Sequence, residues 1–190
     1  MISDFLINCI RTAFTRDLKL GPQEYLASTE FEVDYLGHRK ASLGDDRNLT
    51  KIAFEETSGD TAGYIEFGPP KAYLDGLGCR YELLCFFTSP SMLGKGVGSN
   101  LLWTILRDAI ALRDFRLGVD SIGIQTIKGN PSVSTFYRKI GACVIKETSF
   151  SYGASVIETV VLKWDADSVK TFFQKQSPGK EDRDPSPRLP

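Results

Sequence analysis

A glycine-rich stretch between two apolar segments is the first place where this chain has the means to bind a charged ligand. It reads PSMLGKGVGS, from Pro90 to Ser99. Glycine lets the backbone bend tightly and places no Cβ between the main chain and a ligand. The helical pattern that follows supplies unpaired N–H groups and a partial positive charge at its first turn. The stretch is therefore suited to phosphate or pyrophosphate, with Lys95 as a nearby cation.

Three interpretations of this stretch compete. A dinucleotide-binding fingerprint needs GxGxxG, but Ser99 stands at the third glycine position. The next predicted strand also ends in Gln125-Thr126-Ile127-Lys128, without the acid that would bind a ribose. A nucleotide P-loop needs GxxxxGK[ST], which Gly94 to Asn100 does not supply. The third interpretation is a glycine-rich turn with no ligand, and the loop alone does not decide among them.

A second stretch, after the next predicted strand, narrows the choice. Asn130 precedes a short helical pattern that contains Phe136-Tyr137 and ends before Gly141. With Leu93-Gly94-Lys95-Gly96-Val97-Gly98, this arrangement resembles the two signatures of the GNAT superfamily of N-acetyltransferases. Those signatures are [Q/R]xxGxG/A at the start of a helix, then Asn, an aromatic-Tyr pair and Gly before a strand. The resemblance covers about residues 49 to 164, and two signatures in register are more specific than either one.

The resemblance implies an α/β fold and a reaction. The sheet would be mixed and mostly antiparallel, flanked by helices, with a central parallel strand pair splayed apart to admit the pantetheine arm of acetyl-CoA. The reaction would be direct acetyl transfer from acetyl-CoA to a primary amine of a small molecule or a protein, without a metal. Main-chain groups of three residues would bind the arm: Phe86, Phe87 and Thr88. The pyrophosphate would be held by N–H groups of Leu93, Gly94, Lys95, Gly96, Val97, Gly98 and Ser99, and Asn130 would face the cofactor.

This chain departs from the family pattern in two places. Leu93 replaces the usual Gln or Arg, which removes a side-chain contact and leaves the backbone contact. The family's first strand, ahead of the helices, is not visible, because the chain begins at once with helical spacing. Either the start is truncated or the sheet is smaller. Both departures also fit the alternative that we retain, a catalytically silent acyl-CoA-binding module.

Two residues are the candidates for acid–base catalysis. By resemblance, Tyr137 would be the general acid near the departing sulfur; its alternative role is core packing. Glu82 is the one acid in the apolar run Tyr81 to Thr88. Burial there would raise its pKa and suit it to accept a proton, whereas an edge or cavity-facing Glu82 would merely meet solvent or an Arg. For Cys85, a buried core thiol is favoured over a nucleophile, because no histidine lies in the motif to activate it.

The hydrophobic periodicity of the chain, together with its helix stop signals, predicts the helices and strands that position these residues. Helices are predicted over residues 2–14, 25–36 with Gly37 as the stop signal, 101–112 and 131–140. Strands are predicted over residues 49–57, 62–67, 81–88, 120–127, 142–147 and 156–164. The unit from 81 to 127 is strand, loop, helix and strand, so its two strands should run parallel. By family analogy the first two helices and the loop 68–80, with Tyr73, Asp75 and Arg80, would form walls of the acceptor pocket.

Composition bounds the class of protein. The chain has 190 residues, 42% of them apolar, which suits one domain, assigned to residues 1–176, and a disordered polar tail over 177–190. The net charge of −1 argues against nucleic acid or membrane partners, and no apolar run approaches the roughly 20 residues of a membrane span. Four scattered cysteines and one histidine, His38, give no zinc site and fit reduced thiols in a cytoplasmic protein. The hairpin 142–164 offers an edge for a homodimer, and the oligomeric state stays open.

Overall fold

The computed structural model describes residues 2–12, 29–152 and 155–177. Its elements, in chain order, are α1 (Ile2–Thr12), α2 (Thr29–Leu43), β1 (Leu49–Phe54), β2 (Thr61–Gly68), β3 (Tyr81–Thr88), α3 (Val97–Leu112), β4 (Ile122–Ile127), α4 (Pro131–Lys139), β5 (Ala142–Tyr152), β6 (Ser155–Trp164) and α5 (Ala166–Gln176). Apart from Ser177, the tail predicted over 177–190 lies outside the described residues.

The six strands form one sheet in the order β1-β2-β3-β4-β6-β5. β3 and β4 are parallel, and every other neighbouring pair is antiparallel. A parallel pair needs a crossover of a dozen or more residues, which α3 and its flanking loops supply. The predicted mixed, mostly antiparallel sheet with a central parallel pair is therefore confirmed. In the described residues, the first strand follows both α1 and α2.

Each face of the sheet carries its own apolar cluster. The larger cluster joins the sheet to the buried stripe of α3, formed by Leu101, Leu102, Ile105, Leu106 and Ala109. The smaller cluster packs Leu6 and Ile7 of α1 and Tyr35 of α2 against Tyr64, Cys85 and Ile157 of the sheet. Helices thus cover both faces, as the apolar run of β3 predicts.

The predicted end of the second helix is wrong. α2 continues through Gly37 to Leu43, and a Cβ added at Gly37 would meet no atom within 4 Å. Glycine inside a helix costs about 1 kcal/mol relative to alanine, a cost that tertiary packing outweighs. Residues 25–28 of the predicted helix lie outside the described residues.

The C-terminal helix α5 was not predicted. Asp165 is its N-cap, because the side-chain Oδ1 accepts the N–H of Ser168 at 2.9 Å. Its aromatic side chains dock on the larger cluster, with Phe172 against Trp164 at 5.2 Å and Phe173 stacked on Trp103 at 5.9 Å between ring centroids. Asp165 followed by apolar residues at 169, 172 and 173 is the sequence signal that would have revealed it.

Candidate active site

A gap opens between the two central strands. β3 and β4 pair at three positions only, the last being Leu83 with Ile124. Beyond this point β3 still pairs with β2 as far as Thr88, and β4 still pairs with β6 as far as Ile127. The two strands therefore part while each keeps its outer neighbour. The edge of β3 that faces the gap carries main-chain groups without a strand partner in the described residues, and Phe86, Phe87 and Thr88 lie on this stretch.

A β-bulge in β3 lies where the gap begins. Glu66 of β2 pairs with Cys85, but the next residue, Phe67, pairs with Leu83, so Leu84 is left over. In a regular strand residues 83 and 85 would share a face. Here Leu83 belongs to the larger cluster and Cys85 to the smaller one, beneath α1 and α2. The extra residue re-aims the side chains of β3 beside the gap, a common effect of bulges next to functional sites.

The chain leaves β3 through a loop rich in unpaired amides. A short 3-10 turn, Pro90–Met92, precedes Leu93, and α3 begins at Val97 with Gly96 as its N-cap. Gly94 and Gly96 have φ angles of 78° and 83°, a region that favours glycine. Within the described residues, the N–H groups of Gly94 and of residues 96–99 donate to no acceptor. Together with the helix dipole they make this loop an anion site.

Gly98 allows the loop and the gap to lie close to each other. A Cβ at this position would lie 3.1 Å from Cζ of Phe86 and 3.4 Å from Oγ1 of Thr88. The missing side chain therefore lets the first turn of α3 approach the end of β3 closely. An extended ligand can in this way bind the free edge of β3 and the amides of the loop at once.

Sequence comparison agrees with this geometry. The profile of the acetyltransferase (GNAT) family matches residues 12–142, which include the gap, the loop and α4. This chain belongs to the GNAT family. A search of curated protein sequences gives no match.

Solved structures of GNAT enzymes share the fold. A GCN5-related N-acetyltransferase from Rhodopseudomonas palustris superposes with a TM-score of 0.60 at 17% identity over 86% of each chain. The PaiA N-acetyltransferase from Thermoplasma acidophilum, in complex with coenzyme A, gives 0.56 at 18% identity over 86% of this chain and 92% of that one. YncA from Salmonella typhimurium, with its cofactor acetyl-CoA, gives 0.54 at 16% identity over 87% and 88%.

Tyr137 lies on α4 and is buried in the larger cluster. Its hydroxyl donates to no acceptor in the described residues. Burial raises the pKa of Tyr137 above its ordinary value of 10, and the nearby Cys85 raises it further. Tyr137 therefore keeps its proton at neutral pH. The ring of Tyr137 lies 5.4 Å from that of Phe136, which in turn lies 5.6 Å from the ring of Phe86 at the gap.

Glu82 is buried on the paired part of β3, opposite Gly123 of β4. Its carboxylate accepts the backbone N–H of Lys71 at 2.9 Å and the hydroxyl of Tyr73. Burial raises the pKa of Glu82 against the opposing effect of these hydrogen bonds. No cation donates a hydrogen bond to it in the described residues, so the alternative of a simple Glu–Arg pair does not describe this site.

The remaining predicted residues divide into two groups. Asn130 is buried and caps α4, where its Oδ1 accepts the N–H of Val133 at 3.1 Å. In the loop 68–80, Tyr73 turns inward to Glu82, whereas Asp75 is exposed and Arg80 lies 3.7 Å from Asp120. Only Tyr73 of the three predicted wall residues is therefore brought to Glu82.

Sequence reasoning missed the polar cluster beneath α2. Glu66 of β2 is completely buried, and it accepts hydrogen bonds from Arg39 at 3.0 Å, Tyr64 at 3.2 Å and Ser42. Arg39 also lowers the pKa values of Glu82 and Cys85, in both cases against the larger effect of burial. A lone acid within the apolar strand AGYIEF was the available signal.

The described residues give little support to metal binding or to cysteine or histidine catalysis. They contain no group of three His, Cys, Asp or Glu side chains that could hold a metal ion. Cys85 is buried, which raises the pKa of its thiol to about 12 and fits the predicted core role, and His38 is exposed. Among the helices of the described ranges, none has the length and apolar character to cross a bilayer.

Proposed function

We propose that this chain is an N-acetyltransferase that moves an acetyl group from acetyl-CoA to a primary amine by direct transfer. One observation carries the proposal: the free edge of β3 leads directly into the unpaired amides at the start of α3. The first feature suits an arm with amide groups, and the second suits a pyrophosphate. Coenzyme A joins these two chemistries in one molecule, in this order along its length.

The residues present fit such a ligand. Main-chain groups of Phe86, Phe87 and Thr88 would bind the pantetheine arm, and the unpaired N–H groups of Gly94 and of residues 96–99 would bind the pyrophosphate. The predicted N–H groups of Leu93 and Lys95 already donate to the carbonyls of Pro90 and Met92. The Leu93 side chain is 59% exposed and has no polar atom, so the loop relies on its backbone. Lys95 is exposed and supplies a positive charge beside the loop. Asn130, at the cap of α4, would face the ligand.

Two side chains would move protons during transfer. Bound acetyl-CoA supplies the activated thioester carbonyl. The neutral primary amine attacks this carbonyl and loses one proton as the amide forms, and Glu82, whose pKa burial raises, is assigned to accept that proton. Tyr137, which stays protonated at neutral pH, is assigned to donate a proton as the thiol is released. Holding both substrates together removes the need for a covalent enzyme intermediate.

The acceptor is proposed as a primary amine of a small molecule or a protein. Its pocket would lie beneath α1 and α2, on the face of the sheet where the bulge places Cys85. Tyr73 and Glu82 would stand at one side of it. Of the buried carboxylates in the described residues, Glu66 is already paired with Arg39 and Asp120 with Arg116. Glu82 is thus the one left to attract a cationic amine.

Thermal unfolding with acetyl-CoA, CoA or NAD added separately tests the proposal. A ligand at 100 times its dissociation constant stabilises by about 2.7 kcal/mol, which raises Tm by very roughly 5–10 °C in a domain of this size. We expect a rise with both CoA species and none with NAD, and then release of free thiol with members of a primary-amine panel. Binding without turnover across the panel would favour the silent acyl-CoA-binding module. A response to NAD alone would overturn the proposal.

A further inference from the structure

Both carboxylate oxygens of Glu82, the proposed base, are covered by the loop 68–80. The residue is only 3% exposed. Its Oε2 accepts the backbone N–H of Lys71 at 2.9 Å, and its Oε1 accepts the hydroxyl of Tyr73. A carboxylate with so little exposed surface and a donor on each oxygen offers a substrate amine no direct approach.

This cover is anchored to the sheet on two sides. Leu74 belongs to the 3-10 turn Ala72–Leu74, is buried, and lies over Gly123, where an added Cβ would be 2.4 Å from Cδ1 of Leu74. Further along the loop, the carbonyl of Leu77 accepts the ammonium group of Lys163 of β6 at 3.0 Å. Uncovering Glu82 would expose Leu74 to solvent, so the loop is a fixed part of the site.

Tyr73 connects the buried carboxylate to the space outside the cover. It is partly exposed, whereas Glu82 behind it is buried. Its hydroxyl donates to Glu82 and keeps lone pairs that can accept, and no described residue donates to it. Burial raises the pKa of Tyr73, and the charge of Glu82 raises it further, so the phenol keeps its proton at neutral pH. Tyr73 can therefore accept a proton only while it passes its own to Glu82.

The other titratable groups near Glu82 are not suited to this transfer. Lys71 contacts the carboxylate through its backbone N–H. Arg39 of α2 is paired with Glu66 and stays protonated. Cys79 donates to a backbone carbonyl of the loop, and burial raises the pKa of its thiol. Tyr73 is thus the one side chain of the described residues that donates a hydrogen bond to Glu82.

We propose that Tyr73 contacts the acceptor amine and relays the amine proton to Glu82. As the amine nitrogen bonds to the acetyl carbon, its proton moves to Oη of Tyr73 while the Tyr73 proton moves to Oε1 of Glu82. The carbon–sulfur bond breaks, and the sulfur takes the proton assigned to Tyr137. Tyr73 ends the step neutral, and exchange with solvent then deprotonates Glu82 and reprotonates Tyr137. The inference rests on the proposed function, because it needs both acetyl-CoA and an amine.

Single-turnover release of thiol, with the full chain in excess over acetyl-CoA, measures this transfer apart from product release. The acceptors are propylamine, glycinamide and lysine, and the fastest of the three is used for the variants. Tyr73→Phe keeps the ring and loses only the hydroxyl. It should be about 100-fold slower at every pH, up to the pH at which the rate no longer rises. Its Kd for acetyl-CoA and its circular dichroism should match those of the unmodified chain.

Tyr64→Phe is the matched control. The Tyr64 hydroxyl donates to Glu66 at 3.2 Å, which is a second tyrosine–glutamate hydrogen bond on the same face of the sheet. Tyr64 is completely buried and cannot contact a substrate. This variant should keep the full rate of thiol release.

The possible failures can be told apart. If Tyr73 only supported Glu82, Tyr73→Phe would reach the full rate at a higher pH, because the lost hydrogen bond lowers the pKa of Glu82. That result, an equal loss in Tyr64→Phe, or full rate in Glu82→Gln would overturn this inference and leave acetyl transfer standing. Failure of the unmodified chain to bind acetyl-CoA, or to release thiol with any of the three amines, would overturn the proposed function itself.

Discussion

The guanidinium of Arg39 donates to the carboxylate of Glu66 at 3.0 Å and so joins α2 to a completely buried side chain of β2. The Arg39 side chain is itself only 14% exposed. Removing one partner of a buried ion pair leaves an uncompensated charge, which costs about 3–5 kcal/mol, whereas an exposed pair contributes about 0–1 kcal/mol. The pair is thus expected to hold α2 on the face of the sheet proposed for the acceptor.

Substitution of Arg39 measures this contribution. Arg39→Ala should lower the free energy of unfolding by about 3 kcal/mol. Arg47→Ala, which removes the exposed pair with Asp45, should change it by less than about 1 kcal/mol. Urea unfolding reports both values. Equal losses would contradict the role given to Arg39. Arg39→Met combined with Glu66→Leu should recover much of the loss, since no charge then stays buried.

Two glycines respond in opposite directions to the same substitution. Gly37 lies within α2 with no atom within 4 Å of an added Cβ, so Gly37→Ala should raise the free energy of unfolding by about 0.5–1 kcal/mol. Gly96 has a φ of 83°, where a side chain costs about 1–2 kcal/mol, so Gly96→Ala should lower it. Urea unfolding compares the two variants. Changes of the same sign would contradict the backbone conformation at one of these positions.

The elements that carry the proposed coenzyme site were predictable because their signals are local. The apolar run of β3, the glycines after it and the stripe of α3 are each continuous in sequence, and each leads to one structure. Asn130 and Pro131 likewise begin α4 where the punctuation predicts. Signals of this kind need no knowledge of distant residues.

The features that were missed depend on contacts between distant residues. Gly37 reads as a stop signal, and only the packing of α2 on the sheet shows that the helix continues. The bulge at Leu84 depends on the register with β2, which β3 does not encode alone. The pairing of Arg39 with Glu66 joins residues 27 positions apart. Such features therefore come from the fold and cannot be read from any single segment.

Tyr137 should affect the reaction without affecting stability. Its hydroxyl donates to no acceptor in the described residues, so Tyr137→Phe should leave the free energy of unfolding and the Kd for CoA nearly unchanged. Loss of a general acid should lower kcat by about 100-fold. Tyr81→Phe is the control with the opposite expected outcome. Tyr81 lies on the paired part of β3, and its hydroxyl donates to the carbonyl of Arg113. That variant should lose stability and keep its kcat. Full kcat in Tyr137→Phe would leave Tyr137 with a packing role.

Glu82 should impose a pH dependence on the rate. As the proposed base it must be ionised, and burial raises its pKa above the ordinary value of 4.5. Activity should therefore rise with pH around a midpoint that lies above 4.5, and Glu82→Gln should remove this rise along with most of kcat.

The raised pKa of Glu82 also makes the stability of the protein depend on pH. Because the folded state favours protonated Glu82, its contribution is present at low pH and is lost as pH rises through the folded pKa. The stability of Glu82→Gln relative to the unmodified chain should thus increase between pH 4.5 and pH 8, measured by urea unfolding with exposed Glu56→Gln as the baseline. A rise of the rate with pH that persists in Glu82→Gln would assign the base to another group.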